Sequence, residues 1–493
     1  MVALNSAQAA GVADARRLET LLTSGGDERI EINLASGLNR YGCAVRPRAG
    51  EIAFSSSTAS TLSAAAYAAA GESLDRLLAS SDPARAYELE MERLRGQLTL
   101  LCGLPPSAAQ DLIFGASGTD LLMIVADLAR GASPATLTVV MADPEESGRG
   151  APLALTGRSY GQGSPFGGRA PLPGAEAETG RLVAVAVRQD DGRARPAEAV
   201  DADTERACAR AVRGGGPLLL TVLDVSKTGL MVPSLACAAR LKARYGAGIT
   251  VVVDACQFRL SSASLGWALA QDFLVAVTGS KFFGGPPFSG ALFVPPASAA
   301  RLRALPLSRR LGDYSARAEW PAGYAGRQML PALRNLGLIL RWQAALHEMA
   351  AFRSLPQSAV SEVLQGFATA MAGHLGRCDR LVPLFAPALE RPLAGGWDSI
   401  PTIFPFLIHG RSGPLKSTDV QGLYERLRAQ KGVRFGQPVT VGRRDGAPVS
   451  ALRLSVGARD VVEALSCAGG CDALAERAGR ALALTAEAAR ADS

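Results

Sequence analysis

Seven short apolar runs, each followed by a polar or helix-patterned stretch, constrain this chain more than any other feature. They are DLIF (111–114), TLTVVMA (136–142), LVAVAV (182–187), PLLLTVLDV (217–225), ITVVVDA (249–255), FLVAVT (273–278) and SGALFV (289–294). The runs are continuous rather than alternating, which requires burial on both faces of a strand. Amphipathic stretches such as DLLMIVADLAR and SLACAARLKARYG lie between several of them. Strands of this kind joined through helices form a parallel sheet covered by helices. The expected fold class is therefore α/β, a large domain with a mostly parallel seven-stranded sheet flanked by helices. Further along the texture changes. Two long helical stretches, ALRNLGLILRWQAALHEMAAF and SAVSEVLQGFATAMAGHL, precede the runs TIFPFLIHG and SALRLSVG, and CDALAERAGRALALTAEAAR closes the chain. This reads as a smaller C-terminal α+β domain. The expected division is an N-terminal segment at 1–85, a large domain at 86–330 and a small domain at 331–493.

Charge and cysteine content narrow the function classes. The chain carries 52 Lys and Arg against 45 Asp and Glu, a formal charge of +7. That excess is dispersed, and the densest cluster, 301–310, is broken by Ala, Leu, Pro and Ser. A nucleic-acid-binding surface concentrates its charge on one face, so no nucleic-acid partner is expected. No apolar run reaches the roughly 18 residues of a membrane helix. The start, MVALNSAQAAGVADARRLETLL, lacks the charged head and apolar run of a secretory signal. No membrane association and a cytoplasmic location are expected. Eight cysteines are present without a CxxC pair; Cys467 and Cys471, in CAGGC, have no histidine beside them, so no metal is expected.

Lysine is scarce. Only Lys227, Lys242, Lys281, Lys416 and Lys431 occur, and all other basic residues are arginine. An amine can lose its proton where a guanidinium effectively cannot. Lys281 stands in AVTGSKFFGGPPFSGALFVP, beside Thr278 and Ser280 and before the stiff Gly284-Gly285-Pro286-Pro287. Desolvation there lowers a lysine toward the range in which it is nucleophilic, whereas an exposed loop lysine is the ordinary alternative. Two further pieces fall at strand ends, where open α/β sheets take their ligands. In IFGASGTDLLMIVADLA, small residues from Gly115 to Thr119 precede a helix N-terminus, either a phosphate cradle or a plain helix cap. In TVVVDACQF, Asp254 ends a β-rich run and Gln257 follows, either a paired buried carboxylate or a turn-initiating Asp.

The order of these pieces resembles the fold-type-I pyridoxal-phosphate enzymes, most closely the class V aminotransferase and cysteine desulfurase group. The resemblance spans about residues 85–340 and is carried by ASGTD, VVVDACQ and TGSKFFGGPPFSGALF. It implies pyridoxal 5'-phosphate as cofactor and Lys281 as the lysine that binds it as an aldimine and moves the substrate's α-proton. It implies that Asp254 pairs with the ring nitrogen, that Gln257 reaches the phenolic oxygen, and that Ser117, Gly118, Thr119, Thr278 and Ser280 hold the phosphate. YAGRQMLPALRNLGL (324–338) resembles the stretch sent into the neighbouring subunit's phosphate site, with Arg327 where the family commonly has threonine. A homodimer with shared sites follows from that. In SALRLSVGARD, Arg453 takes the setting in which the family grips the substrate's α-carboxylate.

Three departures from the family pattern concern the reaction outcome. Where a ring usually stacks on the cofactor this chain has MADPEESGRGAP, leaving Glu146, Ser147 or a more distant Tyr160. The usual strand-end asparagine is replaced in DVSKTG by Ser226 or Lys227. A desulfurase needs a mobile, exposed cysteine, and Cys378 in GHLGRCDRL sits in helical surroundings. An amino-acid aminotransferase is the expected function. A lyase or carbon–carbon bond-forming enzyme on the same cofactor, or a non-catalytic relative, are the alternatives.

Overall fold

The computed structural model describes residues 15–166, 180–384, 386–411 and 413–491. After a short strand β1 (Ile52–Phe54), two helices, Ala64–Leu78 and Pro83–Leu101, lead into the large sheet. The first is capped by Ser63, whose side chain accepts the Ala66 amide; the second is capped by Asp82 and has proline in its first turn. All seven apolar runs form strands: β2 (Leu112–Gly115), β3 (Leu137–Ala142), β4 (Gly180–Val185), β5 (Leu218–Leu223), β6 (Ile249–Ala255), β7 (Leu274–Thr278) and β8 (Gly290–Phe293). Their spatial order is β2-β8-β7-β6-β5-β3-β4. The pairs from β4 to β7 are parallel, and β8 alone runs antiparallel to its neighbours β7 and β2. The expected α/β sheet is thus present, with one reversed strand inside it.

Continuous apolar sequence maps onto two-sided burial. Every residue of β3, β5 and β7 is buried, while the edge strand β4 is mostly part-exposed. Val139, Leu219 and Val252 join a core cluster built on the Gly118–Arg130 helix. Their neighbours Val140, Leu220, Val251 and Val253 turn to the opposite face and join the largest cluster. Each such side chain contributes about 1.5–3 kcal/mol of burial, so a helix is needed on each face. The helix Leu336–Arg353 is buried on nearly all sides. It is tied to the sheet by Trp342 Nε1 donating to the Gly290 carbonyl at 3.2 Å and Arg341 Nε donating to the Phe288 carbonyl at 2.7 Å. No described helix is long and apolar enough to cross a membrane.

The second sheet comprises β9 (Leu381–Pro383), β10 (Ile403–Gly410), β11 (Gly413–Pro414), β12 (Val433–Arg444) and β13 (Ala447–Ser455), joined by β1. β1 pairs in parallel with β12, so the chain near residue 53 enters the sheet made mainly by the C-terminal part. β12 and β13 form a hairpin whose Asp445-Gly446 turn is left-handed at both residues (φ 50 and 75). That is the turn chemistry a tight hairpin requires. The register of β12 breaks between Gly436 and Val439. An irregularity of this kind bends a strand and re-aims its side chains.

Candidate active site

The C-terminal ends of β2, β5, β6 and β7 meet the β12 irregularity and β13 around one cavity of about 590 Å³. At one end, β2 runs into Gly115-Ala116-Ser117 and the helix opens at Gly118. Ser117 Oγ accepts the Asp120 amide at 3.2 Å and donates to Asp120 Oδ2 at 2.5 Å. The Gly118 and Thr119 amides belong to a first turn with no carbonyl inside the helix to bond, and both residues line the cavity. Gly118 is demanded by close approach, because a Cβ there would lie 2.7 Å from Cys256 Sγ. Arg29 reaches the same end. It holds Asp27 in a bidentate ion pair, extends Nη1 to within 3.4 Å of Thr119 Oγ1, and packs over the rings of Tyr160 and Phe288. The Tyr160 hydroxyl donates to Asp120, and burial pushes the Asp120 carboxyl up to about 6 against the opposing pull of Ser117 and Tyr160.

Asp254 is the penultimate residue of β6 and Lys281 follows β7, so two adjacent parallel strands place them at the same end of the sheet. Asp254 Oδ1 accepts the Cys256 amide at 3.2 Å. Among the described residues, neither the Asp254 carboxylate nor the Lys281 amine has an ion-pair partner. Burial lowers the pKa of Lys281, Cys256 and Asp254 pull it back, and the charges of Arg453 and Arg259 push it down further. Gln257 donates Nε2 to the Ser57 carbonyl at 2.9 Å, while its buried Oε1 has no hydrogen-bond partner. Thr278 Oγ1 donates to the Cys256 carbonyl at 2.6 Å, and Ser280 Oγ lies 3.4 Å from it. Phe258 and Phe288, flanking this region, both take left-handed backbone angles (φ 53 and 72). Bulky residues rarely adopt that conformation, and strain of this kind concentrates at binding sites.

Glu146, Ser226, Lys227 and Arg453 form a further connected part of the lining. Glu146 is buried and receives Arg188 Nε at 2.5 Å and the hydroxyls of Ser226 and Thr228, each at 2.6 Å. Burial alone would raise its pKa, but Arg188 and the hydroxyls prevail and hold it low. Lys227 donates Nζ to the Glu145 carbonyl at 3.0 Å. Burial, then the nearby charges of Arg453 and Lys281, bring it down to about 8 against the opposing pull of Glu145 and Glu146. Arg453 projects from β13 opposite Gly436, whose missing side chain leaves room for the guanidinium. It donates Nη2 to the Gln437 carbonyl at 2.6 Å and to Thr58 Oγ1 at 2.9 Å, and Nη1 to the Lys227 carbonyl at 3.2 Å. No carboxylate pairs with it among the described residues, and burial lowers its pKa to about 10.

Of the residues named from sequence, Ser117, Gly118, Thr119, Ser226 and Asp254 line this cavity, as do Gln257, Thr278, Ser280, Lys281 and Arg453. Arg327 does not; it sits in the 3-10 turn Ala325–Met329, outside the cavity of its own chain. Several of the lining hydroxyls already have partners: Ser117 with Asp120, Ser226 with Glu146, Thr278 with the Cys256 carbonyl and Ser280 with Thr278. Tyr160 also lines the cavity, at the Ser117 end. The sequence reading missed Arg29, Thr58 and Gln437. Arg29 lies in DERIEIN, which has no motif, and the other two become visible only once β1 and β12 are paired.

No protein-family model matches the sequence, and no curated protein matches it. Solved structures do. A NifS-like protein superposes with a TM-score of 0.54 at 12% identity, over 88% of this chain and 100% of that one. A C-DES mutant with glycine covalently linked to its PLP cofactor gives 0.54 at 13% identity, over 87% of this chain and 97% of that one. The cysteine desulfurase CsdA from Escherichia coli gives 0.52 at 15% identity, over 88% of this chain and 95% of that one. Identities this low speak for the fold. The chain has the fold of the fold-type-I pyridoxal-phosphate enzymes, in the arrangement shared by NifS-like proteins and cysteine desulfurases.

Proposed function

We propose that this chain is a pyridoxal-phosphate-dependent enzyme that removes the amino group of an amino acid by transamination. The observation that carries the reading is the cavity's three unpaired charges. Lys281, Asp254 and Arg453 line one space, and none has an ion-pair partner among the described residues. Buried charge is costly unless paired, so the cavity is built for a ligand that supplies counter-charges of both signs. An aldehyde-bearing pyridine phosphate and an amino acid together supply them.

The residues fit that group. The Gly118 and Thr119 amides, with Arg29, Thr278 and Ser280, would hold a phosphate. Asp254 would hold a protonated ring nitrogen, and Gln257 Nε2, which gives one N–H to the Ser57 carbonyl, would have its second to donate to the ring's oxygen. When bound, the cofactor supplies a carbonyl that condenses with amines and a ring that takes up electrons from the substrate's α-carbon. Lys281, with its lowered pKa, has the amine required to carry that carbonyl and then to take the α-proton and return it. Arg453 offers its planar fork to the α-carboxylate. A homodimer in which Arg327, outside its own cavity, would serve the partner's phosphate site belongs to the same reading.

One observation favours a lyase outcome instead. Lys227 lines the cavity, and its amine, brought down to about 8 by burial, would be able to give a proton to a departing group. Sulfur transfer is less supported. Cys378 packs partly buried against the core, and burial, then Asp254, raises the thiol of the cavity-lining Cys256 well above its ordinary value. A single turnover with candidate amino acids separates the outcomes. Accumulation of aminated cofactor with keto-acid product is expected; ammonia release with the cofactor returned unchanged would replace transamination with elimination.

A further inference from the structure

We infer that Lys227 and Arg453 form a paired cationic subsite, and that the substrate is an amino acid with a second carboxylate on its side chain. This rests on the amino-acid reading proposed above and names its substrate class. The two cations are linked through the backbone, since Arg453 Nη1 donates to the Lys227 carbonyl at 3.2 Å. Both line the cavity. Arg453 spends its donors on neutral acceptors only, the carbonyls of Gln437 and Lys227 and the hydroxyl of Thr58. The Lys227 amine makes one hydrogen bond among the described residues, to the neutral carbonyl of Glu145, and two of its three donors stay uncommitted.

The nearby acids offset this pair only in part: the charges of Glu145 and Glu146 act on Lys227 and that of Glu146 on Arg453, but neither acid forms an ion pair with them among the described residues. Glu146 is saturated by Arg188, Ser226 and Thr228. The Glu145 side chain is exposed and forms no ion pair with Lys227 among the described residues. Asp254 acts on Lys281 and forms no ion pair with Lys227 or Arg453 among the described residues. Two like charges held together with only partial compensation repel each other, and a ligand that brings negative charge relieves that repulsion. One α-carboxylate balances one cation. A second carboxylate on the same molecule balances the other.

The test is calorimetric titration of the protein, incubated with pyridoxal phosphate, with L-aspartate, L-glutamate, L-asparagine and L-glutamine. The acids and their amides have nearly the same shape and differ in charge. At least tenfold tighter binding of an acid over its own amide is expected, collapsing to near equality in Lys227→Met and partly retained in Lys227→Arg. Equal or tighter binding of the amides, or an acid preference that survives in Lys227→Met, overturns the inference. The visible spectrum of the same samples reports the cofactor independently. A coloured protein without acid preference removes the cationic subsite and leaves the proposed chemistry standing. A colourless protein that still prefers the acids does the reverse. An unchanged spectrum and melting temperature in Lys227→Met shows that the lost preference is not lost folding.

Discussion

Lys281 was legible in the sequence because it is rare and stands between an apolar strand and a rigid Gly-Pro turn, and the same local stiffness seats it beside the end of β6. Arg453 was legible only through resemblance. Nothing in SALRLSVG says which face of β13 turns to a cavity, because that depends on the Gly436 opposite it. Arg29 was illegible for the same kind of reason, its neighbours being chosen by tertiary packing. At this scale Arg453→Lys keeps the charge and loses the fork. It should weaken substrate binding by about 1.5–3 kcal/mol, roughly ten- to hundredfold, in KM or a direct titration, with the cofactor spectrum unchanged. Glu319 gives a stability prediction. It is fully buried, accepts the Ala316 amide and the Ser315 hydroxyl, each at 3.0 Å, and is held protonated by burial up to about 8. An exposed glutamate ionises near 4.5. Between those values the folded chain keeps a proton that the unfolded chain has released, so this group makes stability fall as pH rises through that window. Glu319→Gln should flatten the fall, by up to about 1.4 kcal/mol per pH unit, read as melting temperatures at pH 5 and pH 8. Identical pH slopes in both proteins would contradict it.

At the scale of elements, the seven strands of the large sheet could be read because a two-sided burial requirement writes itself as continuous apolar sequence. β1 and β12 could not. β1 has three residues, and VRFGQPVTVGRR is interrupted by Gly436, Gln437 and Pro438, the register break that turns Gln437 and Pro438 toward the cavity. A strand bent for function loses the periodicity by which strands are recognised. The joint between β2 and its helix is more rigid. A Cβ at Gly118 would meet Cys256 Sγ at 2.7 Å and Thr278 Cγ2 at 3.3 Å. Gly118→Ala should therefore loosen cofactor retention at least tenfold in equilibrium dialysis. Adding Cys256→Ala removes the nearer obstacle and should restore most of that loss, a coupling expected between contacting sites. Additive losses would mean that the crowding at Gly118 is not what shapes the phosphate end.

For the whole molecule, the pattern of apolar runs placed the chain among α/β proteins, but an assembly cannot be read from that pattern. The homodimer proposal makes two linked claims. The chain should elute at twice its own mass in multi-angle light scattering. Arg327→Ala should leave that mass unchanged while weakening cofactor retention; a monomer with full retention would remove the shared-site reading. Beneath all of this lies the claim that one amine, among five lysines, carries an aldehyde cofactor. The most direct measurement is borohydride reduction of the protein after incubation with pyridoxal phosphate, followed by peptide mass mapping. The predicted result is one pyridoxyl adduct per chain, on Lys281, lost in Lys281→Ala. An adduct on Lys227 or Lys242 with Lys281 unmodified, or labelling spread evenly over the lysines, would contradict it.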